Sequence, residues 1–173
     1  MFITILTLGI ANILGALTEP LGASRTRNWL ATSWLVLLLL VHFNLFWHTL
    51  IILDRKDWTF PSFLYVVCGP ILLFAATSAL LADAFGKPDS QEGYLAGAAR
   101  FFQLLAAQQL WVVGVDLIWL GGWRAASGIN AMLAALALWL SRADSRRAHK
   151  FGAIAGWATV ILAGALRGLG IAE

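Results

Sequence analysis

The sequence predicts an all-α integral membrane protein, built as a bundle of about six transmembrane helices. Of its 173 residues, 60% are hydrophobic and only 12% are charged, which is about half the charged share of a typical soluble domain. So little polar surface cannot cover a water-soluble fold, and the excess apolar area is expected to face lipid. Six spans of about 20 residues would use about 120 residues. That leaves no room for a separate soluble domain.

The chain is interpreted as one transmembrane helical domain. Its spans are expected at about 2–17, 29–53, 60–81, 94–120, 125–140 and 151–171. The first span has no basic residues before it, so we interpret it as a helix that is kept and not as a signal peptide. It ends near Pro20, which cannot continue a helix interior. The second span is the longest unbroken apolar stretch and contains His42, Asn44 and His48.

The third and fourth spans are expected to be irregular. Gly69 and Pro70 lie in the middle of the third span. Because proline has no amide hydrogen, Pro70 should free the carbonyl of Val66 and kink or break the helix. The fourth helix would have about 30 residues and a length of about 45 Å, whereas the hydrocarbon core is about 30 Å thick. We therefore expect it to be tilted, kinked or projecting.

The fifth span is short, and the sixth is rich in small residues. Its glycines lie four or eight residues apart and form two G-x-x-x-G pairs: Gly152, Gly156, Gly164 and Gly168. This spacing lets two helix backbones approach closely. The partner helix can belong to the same chain or to another copy. A comparable small and polar stripe on the first span includes Asn12.

Lysine and arginine are unevenly distributed between the two sides of the predicted bundle. The connections after the first, third and fifth spans carry Arg25, Arg27, Lys87, Arg100, Arg142, Arg146, Arg147 and Lys150. The opposite side carries Arg55, Lys56, Arg124 and Arg167. The side with more positive charge is normally cytoplasmic. Both termini are therefore expected outside.

Asp116 is the clearest candidate for a functional residue. A charged group within a span is costly and is a functional hypothesis by default. Gln109 lies seven residues earlier on the same helix face, so the two side chains could bind a cation, relay protons or hold a neighbouring helix. The structural alternative is a buried bond, with Arg167 as the expected ion-pair partner. Asn12, Asn44 and His48 complete the candidate polar positions, for a pathway or for packing.

The sequence gives no reason to expect a metal, a cofactor or a catalytic centre. His42 and His48 are about 120° apart on one helix and cannot hold one ion together. The third histidine, His149, is expected in a loop. The single cysteine, Cys68, has no partner for an intrachain disulfide. The common hydrolase, zinc-protease and phosphate-binding motifs are not found, and the net charge of +3 does not indicate nucleic-acid binding.

Four motifs in the first half of the chain carry a resemblance. They are Leu14-Gly15-Ala16-Leu17, Phe46-Trp47-His48-Thr49-Leu50, Asp57-Trp58-Thr59-Phe60 and Gly69-Pro70-Ile71-Leu72-Leu73. Together they resemble a group of small multi-pass bacterial inner-membrane proteins with a Trp-rich second helix, a W-T-F entry to the third helix and a G-P break within it. The resemblance implies six helices in a bacterial cytoplasmic membrane and carries over no catalytic residues. The chain departs from the group at His48, where a small or apolar residue is expected.

Three functions are compatible with these features. The first is a small channel or transporter for ions or small solutes, acting as a homo-oligomer, because polar positions occur within spans and one helix is interrupted. The second is an accessory or scaffold subunit of a larger membrane complex, which would also need no soluble domain. The third is a cofactor-binding membrane protein. The sequence leaves these alternatives open.

Overall fold

A computed structural model describes residues 2–18, 29–53, 58–85, 90–119 and 121–168, apart from the side chains of 48–53, 83–85, 90–93, 96 and 166–168. The helices are α1 Phe2–Thr18, α2 Trp29–Leu53, α3 Phe60–Phe85, α4 Ser90–Trp119, α5 Ala125–Leu140 and α6 Arg146–Gly168. Within these ranges every regular element is an α-helix. The predicted all-α bundle is confirmed.

Three of the described helices are long and apolar enough to cross a membrane. The stretches that meet this condition are Trp29–Trp47, Phe60–Ala82 and Gly97–Trp119. α1 and α5 are apolar but shorter, with 17 and 16 residues. The long fourth helix is also confirmed, because α4 has 30 residues.

Five of the helices form a closed ring. α2 packs on α3, α3 on α4, α4 on α5, α5 on α6, and α6 returns to α2. α1 packs against α2 and α3. Large apolar side chains point away from the bundle, with Trp47, Ile118, Met132 and Ile154 each at least 66% exposed. A surface of this kind is unfavourable in water and suits contact with lipid.

α3 and α4 interlock through two glycines and two aromatic rings. A Cβ at Gly69 of α3 would collide with the ring of Trp111, and a Cβ at Gly114 of α4 would collide with the hydroxyl of Tyr65. The Trp111 indole N–H donates to the Tyr65 carbonyl oxygen at 2.7 Å, and the Tyr65 hydroxyl donates to the Trp111 carbonyl oxygen at 3.5 Å. α3 continues through Pro70 as one helix. The carbonyl that Trp111 reaches belongs to Tyr65, one residue before Val66, whose carbonyl cannot receive a helical hydrogen bond from Pro70.

The connection from α4 to α5 is tight because it contains two glycines in the left-handed region. Gly121 has φ +84° and Gly122 has φ +145°, which are backbone conformations that other residues rarely adopt. The Gly122 amide donates to the carbonyl oxygen of Asp116 at 3.4 Å. This turn brings the first residues of α5 back against the last turn of α4.

The glycines of α6 have different surroundings. A Cβ at Gly152 would collide with the Leu140 side chain of α5, and one at Gly156 would lie 3.2 Å from Leu37 of α2. Gly164 faces open space, with no described atom within 4 Å. The surroundings of Gly168 lie outside the described residues. The first G-x-x-x-G pair is thus a packing site within this chain.

Candidate functional site

A cavity of about 270 Å³ lies between α2, α4, α5 and α6. We call it the central cavity. Its polar lining residues are Asn44, Gln108, Gln109, Asp116, Asn130 and Thr159. The remaining lining is apolar apart from Gly164. Polar groups from four helices therefore converge on one space inside an otherwise apolar ring.

Asp116 lies at one end of this cavity, where α4 ends and α5 begins. We call this the Asp116 end of the bundle. Its side chain is only 3% exposed, and one carboxylate oxygen, Oδ2, accepts a hydrogen bond from the Ser127 hydroxyl at 2.7 Å. Ser127 is the third residue of α5, so the carboxylate also lies near a helix N-terminus, whose partial positive charge stabilises an anion. Both contacts lower the cost of burying this acid.

The amides of Gln108 and Gln109 form the middle of the polar lining. They are 1% and 4% exposed. The Gln109 amide nitrogen donates to the Gln108 side-chain oxygen at 2.9 Å. That bond uses one of the two N–H donors of the Gln109 amide, and it uses neither N–H donor of the Gln108 amide. The pair can therefore donate to a molecule in the cavity.

The predicted site residues are only partly brought together. Asn44, Gln109 and Asp116 line the central cavity, whereas Asn12 lies on the exposed face of α1. The side chains of His48 and Arg167 lie outside the described residues, so the Asp116–Arg167 ion pair stays a prediction.

Sequence reasoning missed Gln108, Ser127, Asn130 and Thr159. The signal for Ser127 and Asn130 was their spacing of three, which places both on one face of the short fifth span. Gln108 was overlooked because it is adjacent to Gln109, and adjacent residues do not share a helix face. A cavity between several helices accepts side chains from both positions.

A second polar pair lies at the opposite end of the bundle, where α5 ends and α6 begins. We call this the His149 end. The expectation that His149 lies in a loop is wrong, because it is in the first turn of α6 and fully buried. Its Nε2 donates to the Ala143 carbonyl oxygen at 2.8 Å. Nδ1 of the neutral ring is therefore an acceptor, and the Tyr94 hydroxyl donates to it at 3.4 Å. Burial lowers the pKa of His149, although the bond to Ala143 and the nearby charge of Asp144 oppose this shift.

His42 lies in the contact between α1 and α2. Its Nδ1 donates to the Leu38 carbonyl oxygen at 2.8 Å, and the ring packs directly against Gly9. Its Nε2 is buried and has no hydrogen-bond partner among the described residues. Among all the residues that the structure describes, no group of three or more His, Cys, Asp and Glu side chains could hold a metal ion.

Comparison of the chain with models of protein families, with curated proteins and with solved structures finds no match.

Proposed function

We propose that the chain is a small membrane channel or transporter whose solute site is the central cavity. The observation that carries this proposal is the convergence of six polar side chains from four helices on one cavity. Polar groups in the interior of a membrane protein are costly and occur mainly where they face a partner or a water-filled space. In this ring they face a cavity large enough for several water molecules or one small solute.

The lining favours a small hydrogen-bonding solute over a long apolar chain. The amides of Gln108 and Gln109 offer donors, and Asp116 is a strong acceptor with capacity beyond its bond to Ser127. A volume of about 270 Å³ is just below the usual range for small-molecule pockets, about 300–1,000 Å³. In this proposal the solute enters at the Asp116 end, where Ala126 and Ile129 are half-buried and Gly164 is exposed.

A membrane orientation follows from the charges at the two ends. Arg142, Arg146, Arg147 and Lys150 cluster at the His149 end. The positive-inside rule places that end in the cytoplasm, so the cavity would open to the outside with both termini there. In this proposal all six helices cross a bacterial inner membrane and copies of the chain associate in the bilayer.

Solute uptake by proteoliposomes tests the proposal. Purified protein is reconstituted, and uptake of glycerol, urea and methylammonium after an osmotic step is followed by light scattering, with a pH-sensitive dye reporting proton flux. We expect at least one probe to enter faster than into empty vesicles. Rates equal to those of empty vesicles for every probe would refute the proposal.

A matched pair of glycine substitutions ties the uptake to the cavity. Gly164→Leu places four carbons in the cavity lining, and Gly15→Leu makes the same change on the exposed face of α1. A Cβ at either glycine meets no described atom within 4 Å, so both variants should fold. We expect Gly164→Leu to reduce uptake toward the background rate and Gly15→Leu to leave it unchanged. Equal rates in the two variants would show that the solute does not use the central cavity.

A further inference from the structure

The central cavity does not end at its polar lining. A smaller cavity of about 40 Å³ continues it toward the His149 end. The two cavities share Val41, Gln109, Leu133 and Val160, whereas Trp34 lines only the smaller one. From the central cavity to the smaller one, the lining changes from Gln109 to mostly apolar side chains and reaches Trp34.

Trp34 is held by three aromatic and glycine contacts from two other helices. Its ring lies edge-on to Phe101 at 5.8 Å and to Phe102 at 5.0 Å between ring centres. On the opposite helix, a Cβ at Gly156 would lie 3.4 Å from the Trp34 ring. Phe101 and Phe102 are fully buried, and Trp34 is 5% exposed. We call Trp34, Phe101 and Phe102 the aromatic seal. Together with Gly156, these residues bring α2, α4 and α6 into contact.

The Tyr94–His149 pair lies directly beyond this seal. The His149 ring is 5.4 Å from that of Phe102 and 5.4 Å from that of Tyr94. The Trp34 indole lies beside the Tyr94 hydroxyl, although its nitrogen has no partner in hydrogen-bond geometry among the described residues. The bond from Tyr94 to His149 connects α4 to α6, and the bond from His149 to Ala143 connects α6 to the preceding turn.

We propose that Trp34 is the gate that closes the central cavity at the His149 end, and that the Tyr94–His149 hydrogen bond holds this gate shut. The proposal rests on the proposed function, because a gate matters only if the cavity conducts or carries a solute. Opening needs the Trp34 ring to leave its place between α4 and Gly156. A connected passage would then run from Asp116 past Gln109 to the basic end of the bundle.

Cysteine accessibility tests the gate without knowledge of the solute. Cys68 is replaced by serine, and Asn130→Cys places one thiol in the central cavity. A membrane-impermeant methanethiosulfonate reagent is added from either side of the membrane. Trp123→Cys and Arg147→Cys, at exposed positions of the two ends, identify which side is which. We expect the thiol at position 130 to react from the Asp116 end only.

Trp34→Ala should make the same thiol reactive from the His149 end. The reaction rate from that end should be at least tenfold higher than in the protein that retains Trp34. Tyr94→Phe removes only the hydroxyl and should give a smaller increase in the same direction. Trp47→Ala is the matched control, because Trp47 lies on the same helix but points outward with 67% exposure. It should leave the pattern unchanged. If Trp34→Ala does not give a monodisperse protein, Trp34→Phe and Tyr94→Phe carry the test.

The outcomes separate the gate from the proposed function. Reaction from the Asp116 end alone in every variant would overturn the gate and leave the solute site standing. Reaction from both ends with the seal intact would overturn the gate as well. A thiol that reacts from neither end in any variant would show that the cavity is closed to water, which would refute the proposed function together with the gate.

Discussion

Gly69→Ala tests whether the contact between α3 and α4 depends on the absence of a side chain at this position. The new methyl group would collide with the Trp111 ring, so the ring must move and its 2.7 Å bond to the Tyr65 carbonyl oxygen is lost. Overpacking of a core costs about 1–3 kcal/mol. An interhelical hydrogen bond in a membrane contributes about 0.6 kcal/mol on average and about 1.7 kcal/mol at most. Together the two effects should destabilise the fold by about 2–5 kcal/mol.

Alanine also has a higher helix propensity than glycine, by about 1 kcal/mol, and this gain must be separated from the contact. Gly15→Ala has the same gain, and its Cβ meets no described atom within 4 Å. The difference between the two variants therefore measures the contact alone. We expect it to be about 2–5 kcal/mol, which is at least a tenfold change in the unfolding constant.

Reversible unfolding in mixed micelles, followed by circular dichroism as the proportion of dodecyl sulfate increases, measures this difference. Trp111→Phe removes the same indole donor without adding a methyl group. Both changes break the same hydrogen bond. The double variant Gly69→Ala, Trp111→Phe should therefore lose less stability than the sum of the losses in the two single variants. Equal stability of Gly69→Ala and Gly15→Ala, or strict additivity with Trp111→Phe, would refute the reasoning.

Three further predictions concern the polar groups. Ser127→Ala removes the hydroxyl that donates to Asp116 at 2.7 Å and should cost about 1–3 kcal/mol in the same unfolding titration; an unchanged midpoint would show that the carboxylate finds another donor. Thr159→Val should reduce solute uptake, whereas Thr7→Val should not. Both hydroxyls donate to the carbonyl four residues earlier at 2.8 Å and 2.7 Å, but only Thr159 lines the cavity. Burial lowers the pKa of His149 below its ordinary value of 6.5. The unfolded chain therefore binds a proton at this histidine more readily than the folded chain does. The free energy of unfolding should fall as the pH decreases through 6.5 and level off below the pKa of the folded state. His149→Gln should remove that part of the pH dependence.

The helices were largely predictable because the length of an apolar run is a local property. α2 and α5 begin and end at the residues expected from the sequence. The start of α6 was not predicted correctly, because its first turn is charged and hydropathy alone places the boundary at residue 151. The helix begins at Arg146, where the Ser145 hydroxyl accepts a hydrogen bond from the Ala148 amide at 3.2 Å. This N-cap is visible in the sequence only when helix-start residues are considered beside hydropathy.

The candidate site was less predictable because it is formed by side chains on four helices. The pair Gln109 and Asp116 could be recognised, since a spacing of seven places both on one face of α4. Asn130 and Thr159 lie on other helices, and nothing in the sequence fixes how α5 and α6 rotate toward that face. Their rotation depends on packing such as that of Gly152 against Leu140. Long-range packing therefore determines which polar residues share the central cavity.

Asp116 has a hydrogen-bond donor nearby in the sequence that was not expected. The sequence suggested Arg167, which is far along the chain, as its partner. The observed donor, Ser127, is only eleven residues away and is brought back by the turn that contains Gly121 and Gly122. Because Ser127 bonds to one carboxylate oxygen, Asp116 retains acceptor capacity toward the cavity. The structural and functional interpretations of this residue are therefore compatible: one contact holds the side chain in place, and under the proposed function that placement directs the acid at a solute.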